Sequence, residues 1–395
     1  MRKTGVLITL ALASVLASVL AAVLAAEKPL TRGKTEPGTL DRKSLEWIRT
    51  EKIRAGYFHR WSPQELPGKL AKADFNTIHV QFCNGGHGQI DRWAELARKN
   101  DLRLILGVWW NYPAHRETQQ KVPSKIGERY RGFVNGSGRV HTKTVCPTDE
   151  KYWLDWVFPD FLAMARKSRE ADIVGITLDP EFYSSEEPDG GGSYGWYQWA
   201  GACCCDSCFG SFLRDAREKK TAADIPAETR GAWLAEGKRS AAYDAHLKKK
   251  VEALARRLEQ AVHAIDPDVL LGCLAVYEAG DFFARGLRDG FKTAKRPVLI
   301  WTETPTYNKG YHAYVDEVYD KFQSLGNVVY VPGLNLAKHA PATLSKQAHD
   351  LALHSDGYWV FSQQKKRFLE EANLRSFKSG NGQIVEALSK SELKR

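Results

Sequence analysis

The sequence predicts an α/β fold, a (β/α)8 TIM barrel with long insertions after its third and fourth strands. Three observations predict it: short apolar runs typical of strands recur, amphipathic helical stretches separate them, and eight such runs can be counted. Strands that alternate with helices form parallel βαβ units, and eight units close into a barrel. An open doubly wound sheet is the alternative, but no glycine-rich turn follows the first run to hold a nucleotide.

The eight predicted strands are rich in β-branched and aromatic residues. They cover residues 53–59, 77–82, 102–109, 173–178, 269–275, 297–301, 327–331 and 357–361. Apolar residues at helical spacing mark the stretches 91–100, 150–169 and 244–265 between them. The connections after the third and fourth strands are long, and long loops on that side of a barrel build its substrate cleft.

The chain is predicted to have three regions. Residues 1–26 indicate a secretory signal peptide, because Arg2 and Lys3 precede an uncharged apolar run that ends in small residues. The run is also long enough for an uncleaved N-terminal anchor, which is the alternative. Residues 27–45 form a polar leader, and residues 46–395 form a single catalytic barrel domain. We therefore expect a secreted or periplasmic protein with no further membrane segment.

The net charge of +10 is spread along the chain rather than concentrated in one stripe. Nucleic-acid binding needs a localised basic surface, so we expect no nucleic-acid partner. An anionic polysaccharide remains a possible ligand for such a basic protein.

Two predicted strands end in carboxylates. The fourth runs into Asp179-Pro180-Glu181, and the sixth runs into Glu303. Strand alternation puts Asp179 and Glu181 on one face, and Pro180 is expected to end the strand. Two carboxylates across a cleft cleave glycosidic bonds: one protonates the leaving oxygen, and the other attacks the sugar or activates a water. For each acid alone, capping a loop or pairing with an arginine is the alternative.

Aromatic and amide side chains also stand on or just after the strands, as a carbohydrate cleft requires. The predicted substrate contacts are Tyr57, His59, Trp109, Asn111, Tyr183, Tyr277, Glu278, Trp301, Tyr307, Trp359 and Gln363. The same ends carry Trp61, Asn84, His87 and Trp110. Each of these residues, taken singly, could equally belong to the core.

The seven cysteines include a compact cluster. Cys203, Cys205 and Cys208 have the spacing C-x-C-x-x-C, and Cys146 adds a fourth thiol, which suffices for a closed tetrahedral Zn²⁺ site. Such a site would be structural, because four sulfurs leave no open position, and it would join the two long loops. Disulfides are the alternative in an exported protein. Two further cysteines, Cys83 and Cys273, lie on or beside strands and are expected to be buried thiols.

Three segments resemble those of the glycoside hydrolase family 42 β-galactosidases. Segment 138–148, which contains Cys146, resembles the loop that carries the family's first zinc cysteine. Segment 203–213 resembles the C-x-C-x-x-C segment that supplies the other three. Segment 299–305, which contains Glu303, resembles the strand that carries the family's nucleophile.

This resemblance implies a retaining mechanism with Glu181 as acid/base and Glu303 as nucleophile, and it implies zinc at the four clustered cysteines. The chain departs from the family at Pro180, where the family has asparagine. The family's nucleophile also ends the seventh strand, whereas our count places Glu303 after the sixth. An undetected strand between residues 281 and 295, or a different carboxylate pair, would account for this.

The end of the fourth strand also resembles the D-x-x-D-x-D-x-E pattern of family 18 chitinases. Asp179 and Glu181 match its last two acids, while Val174 and Thr177 replace the first two. This resemblance implies substrate-assisted hydrolysis of an N-acetylated glycan, in which Asp179 orients the acetamido group and Glu181 is the acid.

We therefore predict an exported O-glycosyl hydrolase that acts on an oligosaccharide or polysaccharide. The carboxylates Glu181, Glu303 and Asp179 are the predicted catalytic groups. A carbohydrate is the only predicted partner, and structural Zn²⁺ is the only predicted cofactor. A non-catalytic sugar-binding barrel and another hydrolase or lyase on the same scaffold are the alternatives.

Overall fold

The structure is a computed structural model, and its eight long strands close into one parallel barrel, which confirms the predicted fold. The residues it describes are 45–82, 86–110, 126–184, 193–195, 201–275, 280–303, 306–361 and 370–390. All eight predicted strands are present, and their ends differ from the predicted ends by at most a few residues.

The described strands number twelve, in chain order. They are β1 (Ile53–His59), β2 (Thr77–Phe82), β3 (Arg103–Trp109), β4 (Gly132–Val134), β5 (Val140–Val145), β6 (Ile173–Asp179), β7 (Phe182–Ser184), β8 (Ser193–Gly195), β9 (Leu270–Ala275), β10 (Val298–Thr302), β11 (Val328–Asn335) and β12 (Gly357–Phe361). The barrel closes in the order β1-β2-β3-β6-β9-β10-β11-β12, with β12 back against β1. The other four strands form two antiparallel hairpins, β4 with β5 and β7 with β8.

Helices follow or precede the barrel strands, as βαβ units require. They are α1 (Glu46–Glu51), α2 (Leu66–Lys72), α3 (Ile90–Lys99), α4 (Ile126–Arg129), α5 (Glu150–Tyr152), α6 (Phe158–Ser168), α7 (Asp206–Asp215), α8 (Arg230–Glu236), α9 (Ser240–Ile265), α10 (Phe282–Phe291), α11 (Thr306–Lys309), α12 (Tyr314–Ser324), α13 (Pro341–Leu353) and α14 (Glu371–Ser389). A π-helical turn, Trp153–Val157, joins α5 to α6, so the helix predicted over 150–169 is continuous. Short 3-10 turns occupy Gly86–Gln89, Ala222–Asp224 and Ala227–Thr229.

Buried apolar residues form two layers. A large outer cluster lies between the helices and the barrel, with residues such as Leu104, Ile176 and Leu258. A smaller inner cluster fills the barrel, with residues such as Ile105 and Leu299. Neighbouring residues of one strand, such as Leu104 and Ile105, therefore serve opposite layers, as strand alternation dictates.

The segment between β9 and β10 settles one open point of the sequence analysis. Within its described part, residues 280–297 contain helix α10 and no strand. Glu303 therefore follows the sixth barrel strand, β10, and not the seventh. The undetected-strand explanation is wrong, because the apolar residues of this segment have helical spacing and bury one helix face.

Among the described residues, no helix combines the length and the apolar character needed to cross a membrane.

Candidate active site

The upper interior of the barrel, near the carboxyl ends of its strands, is lined mainly by polar and aromatic side chains. A small pocket there is lined by Tyr57, His79, Gln81, Thr177, Asp179, Leu274 and Trp301. Barrels of this kind are usually filled by branched aliphatic residues. A polar lining buried at this depth costs stability unless its groups are hydrogen-bonded, so it marks the place where chemistry is to be expected.

Asp179 is the buried acid of this pocket, with 5% of its surface exposed. Its Oδ2 atom accepts hydrogen bonds from the Tyr57 hydroxyl at 3.3 Å and from Gln81 Nε2 at 3.2 Å. Its Oδ1 atom accepts the backbone N–H of Glu181 at 3.0 Å. Burial raises the pKa of Asp179 to about 7, although the Glu181 N–H and the Tyr57 hydroxyl favour the ionised form.

Glu181 lies just beyond the end of β6 and is partly buried. Strand β6 ends at Asp179, so Pro180 does end the strand as predicted. The hydrogen bond from the Glu181 N–H to the Asp179 side chain spans Pro180 and fixes this turn. One local motif therefore sets the backbone position of Glu181 relative to the buried acid.

Glu303 follows β10 and is also partly buried. Its N–H donates to the Ala275 carbonyl at 3.2 Å, and its carbonyl accepts the Tyr307 N–H at 2.7 Å. Burial raises the pKa of Glu303 to about 8, and the negative charge of Asp179 raises it further toward that value. Asp179 on β6 and Glu303 after β10 are thus separated by the single strand β9, and burial raises the pKa values of both acids.

His79 is a neutral member of this layer. It is buried, and burial together with the charge of His59 lowers the pKa of His79 to about 3. Its Nε2 shares a hydrogen bond of 2.7 Å with Thr177 Oγ1, and its ring stacks on Tyr57 with centroids 4.5 Å apart. His79 therefore supports Tyr57, which in turn bonds to Asp179, without adding a charge to the pocket.

Four of the predicted substrate contacts lie together beside Glu303. The Trp359 indole N–H donates to the Thr302 carbonyl at 3.1 Å, next to Glu303 in the chain. Trp359 also lies 5.3 Å from Tyr57, 5.5 Å from Tyr307 and 5.9 Å from Trp301, measured between ring centroids. The structure thus brings together these aromatic rings and the carboxylates, which the sequence could only place at separate strand ends.

Two other predicted contacts lie at the same end of the barrel. His59, at the end of β1, stacks on Trp61 with ring centroids 4.8 Å apart. Trp109 is buried at the end of β3, where it pairs in register with Asp179.

Some of the predicted residues belong to segments beyond the described ranges. Asn84, Asn111, Tyr277, Glu278, Gln363 and Cys83 lie outside the described residues. The side chains of Tyr183 and His87 do so as well, although their backbones belong to β7 and to a 3-10 turn.

Three further residues belong to this region although they were not predicted from the sequence: His79, Gln81 and Phe361. The signal for the first two was present, because Thr77, His79 and Gln81 alternate with apolar residues along β2. This alternation shows that β2 presents polar groups on one face, and in a closed barrel that face is the interior.

Two inward-facing glycines make room for these large side chains. A Cβ atom on Gly107 would lie 2.6 Å from His79 Cε1 and would overlap the Gln81 amide oxygen. A Cβ atom on Gly333 would lie 2.5 Å from Trp359 Cε2. The polar layer and the Trp359 indole therefore fit only because Gly107 on β3 and Gly333 on β11 carry no side chain.

The four cysteines singled out by spacing form one buried cluster. The sulfur atoms of Cys146, Cys203, Cys205 and Cys208 all lie within 4.8 Å of one another, and this group could hold a metal ion. Cys146 Sγ lies 3.4 Å from Cys208 Sγ and 3.9 Å from Cys205 Sγ. Zn–S bonds of about 2.3 Å in a tetrahedron place sulfur atoms about 3.8 Å apart, so the arrangement fits zinc. The separations exceed the disulfide length of about 2.05 Å.

All six described cysteines are free thiols. Cys204, although adjacent to the cluster, is outside it, and burial raises the pKa of its thiol to about 11. Cys273 is buried on β9 as expected, and burial raises the pKa of its thiol to about 12.

The cluster joins the two long insertions of the barrel. The Cys204 N–H donates to the Val134 carbonyl of β4 at 2.6 Å, which connects the loop after β6 to the hairpin after β3. The buried Arg230 donates to the Cys204 carbonyl at 2.7 Å and to Asp206 at 2.6 Å. Thr148 Oγ1 lies 3.3 Å from Cys146 Sγ and 3.1 Å from Cys208 Sγ. Backbone and side chains therefore hold the sulfur atoms in place from both insertions.

Comparison with solved structures supports the fold. A β-galactosidase from the psychrophilic Marinomonas ef1 aligns with a TM-score of 0.55 at 11% identity, covering 87% of this chain and 61% of that one. A β-galactosidase from Rahnella sp. R3 aligns with a TM-score of 0.55 at 12% identity, covering 86% of this chain and 57% of that one. The chain thus spans about three fifths of their length. A scan against protein-family models and a search of curated proteins gave no match.

Proposed function

We propose that this protein is an exported glycoside hydrolase that cleaves O-glycosidic bonds of an oligosaccharide or polysaccharide. The observation that carries the proposal is that Asp179, Glu181 and Glu303 all stand at the carboxyl ends of barrel strands, where a cluster of aromatic rings also lies. Active sites of (β/α)8 enzymes lie at this end of the barrel. The similarity to β-galactosidase structures supports a glycosidase fold.

In the proposed retaining reaction, Glu181 is the acid/base and Glu303 is the nucleophile. The ionised Glu303 carboxylate attacks the anomeric carbon while the Glu181 carboxyl gives its proton to the leaving oxygen, which forms a glycosyl ester. A water then attacks the same carbon, gives its proton to Glu181 and releases Glu303. Asp179 holds the Glu181 backbone through its Oδ1 atom and influences the protonation of Glu303 through its charge.

The direct test is hydrolysis of chromogenic glycosides and soluble polysaccharides by the purified full chain. We expect new reducing ends from at least one substrate, and Glu181→Gln and Glu303→Gln should each lower the rate about 10²- to 10⁴-fold. Azide should restore turnover to a small-side-chain variant, Glu303→Ala, and give a glycosyl azide of inverted configuration. The exposed Glu95 on α3 provides the matched control, Glu95→Gln, which should remain fully active.

An unchanged rate for Glu303→Gln would remove it as nucleophile, and an unchanged rate for Glu181→Gln would refute the proposal. Binding of polysaccharides without any hydrolysis would favour the non-catalytic sugar-binding barrel. Retention further requires carboxyl groups about 5–5.5 Å apart in a substrate complex.

Substrate-assisted hydrolysis is the second candidate, and the position of Glu303 favours it. Glu303 follows the sixth barrel strand, and burial together with the charge of Asp179 raises its pKa, which disfavours the ionised form that a nucleophile needs. Asp179, by contrast, is oriented by Tyr57 and Gln81 next to Glu181. In this reaction the acetamido oxygen of the substrate attacks the anomeric carbon, Asp179 orients the acetamido group and Glu181 protonates the leaving oxygen.

The two candidates differ in substrate and inhibitor. Substrate assistance predicts cleavage of N-acetylated glycosides only, inhibition by a thiazoline analogue, and no azide rescue of Glu303→Ala. The double displacement predicts cleavage of sugars without an acetamido group and no inhibition by the thiazoline.

We also propose a structural zinc ion at Cys146, Cys203, Cys205 and Cys208. Zinc bound to four thiolates would crosslink the two insertions and supply no open position for catalysis. Metal analysis should find about one equivalent of zinc, and Cys205→Ser should lose it, whereas the neighbouring variant Cys204→Ser should keep it. Less than about half an equivalent, with disulfides found by mass spectrometry, would contradict this assignment.

Export rests on the sequence pattern of residues 1–26. Expression of the full chain with fractionation of the culture should show a processed protein outside the cytoplasm. A full-length protein retained at the membrane would instead support the N-terminal anchor.

A further inference from the structure

The described residues include few exposed large apolar side chains, and Trp61 is the most exposed of them. Its exposed fraction is 53%, although tryptophan is usually well buried. It lies just after β1, at the carboxyl end of the barrel where the carboxylates converge. Its ring lies parallel to that of His59, with centroids 4.8 Å apart and 10° between the planes. Trp61 is therefore a flat, oriented ring at the edge of the candidate active site.

Trp61 is one end of a continuous row of rings, which we call the aromatic wall: Trp61, His59, Phe361 and Tyr307. His59 meets Phe361 edge-on at 6.4 Å, and Phe361 stacks on Tyr307 at 6.1 Å. At its inner end Tyr307 lies 5.5 Å from Trp359, whose indole N–H is bonded to the residue before Glu303. The wall thus runs, ring by ring, from the exposed Trp61 to the part of the barrel where Glu303 follows β10.

The elements that carry the wall fix its position. His59 and Phe361 end the neighbouring strands β1 and β12, and Tyr307 lies on α11 just after β10. The Tyr307 N–H donates to the Glu303 carbonyl, and its own carbonyl accepts from His339 Nε2 at 3.1 Å. The backbone bonds fix the position of Tyr307, and the contacts between neighbouring rings limit their rotation, so binding costs little further side-chain entropy.

We propose that the aromatic wall holds the sugar units beyond the cleaved bond, with Trp61 as the most distant subsite. A pyranose ring presents an apolar C–H face, which stacks on an aromatic face, and its hydroxyl rim stays in water. One aromatic ring could bind a single sugar, but a row that ends in an exposed tryptophan matches an extended chain. This inference rests on the proposed glycosidase function and adds its substrate class, a glycan of several units rather than a small glycoside.

The test compares Trp61→Ala with the unmodified wall in the full chain. Both proteins carry Glu181→Gln, so that bound glycans are not cleaved. The probes are linear β-linked gluco-, manno-, galacto- and N-acetylglucosamine oligosaccharides, from disaccharide to hexasaccharide, arrayed on a surface. Trp61→Ala should weaken binding of the longest bound series about 3- to 10-fold and leave its disaccharide unchanged. Trp61→Phe should recover most of the loss, and Leu154→Ala, at another exposed apolar residue (43%), should have no effect.

An equal loss for short and long glycans, or no loss with Trp61→Ala, would overturn the inference while leaving the proposed hydrolase intact. The opposite result is also possible to observe: a protein with native Glu181 could bind long glycans more tightly than short ones and release no reducing ends. That result would support the inference and refute the proposed hydrolase. If no arrayed glycan binds, the inference is wrong, and hydrolysis of chromogenic glycosides then decides the proposed function separately.

Discussion

The lower and upper halves of the barrel interior are built from the same strands but from different chemistry. The lower half contains Ile105, Leu270, Leu299 and Val329, which are aliphatic and buried. The upper half contains the pocket around Asp179, whose polar groups bond to one another. Burial of aliphatic groups stabilises the fold, whereas burial of acids costs stability and shifts their pKa values. The comparison suggests that the lower half maintains the barrel and that the upper half gives up stability for function.

The largest difference in effect on activity between the two halves is expected when the buried acid Asp179 is replaced. Asp179→Asn removes a charge that positions Glu181 and influences Glu303, so the hydrolysis rate should fall about 10²- to 10⁴-fold. The amide removes a buried charge but turns one accepting oxygen into an NH2 group that faces donors, so the two effects oppose each other and thermal stability at neutral pH should change little. A fully active Asp179→Asn protein would show that the upper layer is not part of the reaction.

The converse change is Leu299→Ala in the lower half. Leu299 is fully buried, and the cavity should lower the free energy of unfolding by about 2–5 kcal/mol. Measured well below its melting temperature, the folded variant should keep its kcat/KM. Denaturant unfolding and steady-state kinetics together check this. A stable but inactive variant would contradict the view that the lower half serves stability and the upper half serves activity.

Gly107→Ala tests the dependence of the polar layer on a missing side chain. The added methyl group meets His79 and Gln81, so we expect a loss of about 1–3 kcal/mol of stability from overpacking. Activity should fall as well, because Gln81 must move away from Asp179. Gly88→Ala, where no atom lies within 4 Å of the added carbon, is the matched control and should leave activity unchanged.

The smallest expected effect is the pH dependence of stability. The pKa values of Asp179 and Glu303 are raised to about 7 and 8 in the folded chain, so the folded state binds more protons than the unfolded state. Their neutral forms contribute stability that is complete below about pH 4 and is lost as pH rises through about 7 to 8. Glu303→Gln should flatten this decline, by on the order of 1 kcal/mol at alkaline pH, in thermal unfolding measured across pH. If stability falls with pH just as steeply in Glu303→Gln, the decline is caused by other titrating groups.

The sequence predicted the strands well because each is a short apolar run bounded by polar residues. It also grouped Cys146 with Cys203, Cys205 and Cys208, because C-x-C-x-x-C spacing is a local signal and the resemblance to family 42 added Cys146. It could not show that the charge of Asp179 affects Glu303, because only closure of the barrel places β6 and β10 on either side of β9. Periodicity could have identified Gln81, but only closure of the barrel shows that its amide meets Asp179.

The cysteine cluster has a consequence for the order of events during biogenesis. Cys146 and Cys208 sulfurs, at 3.4 Å, need to approach by little more than an ångström to form a disulfide. In an oxidising compartment, disulfide formation would therefore compete with metal binding at the reduced cluster. Only metal binding would preserve all four thiolates. If the proposed export occurs in the unfolded state, the chain would have to bind the proposed zinc before an oxidant reaches the thiols, whereas export in the folded state would carry the metal along. If the chain is exported as proposed, the oxidation state of its four clustered cysteines would thus report whether it crossed the membrane folded or unfolded.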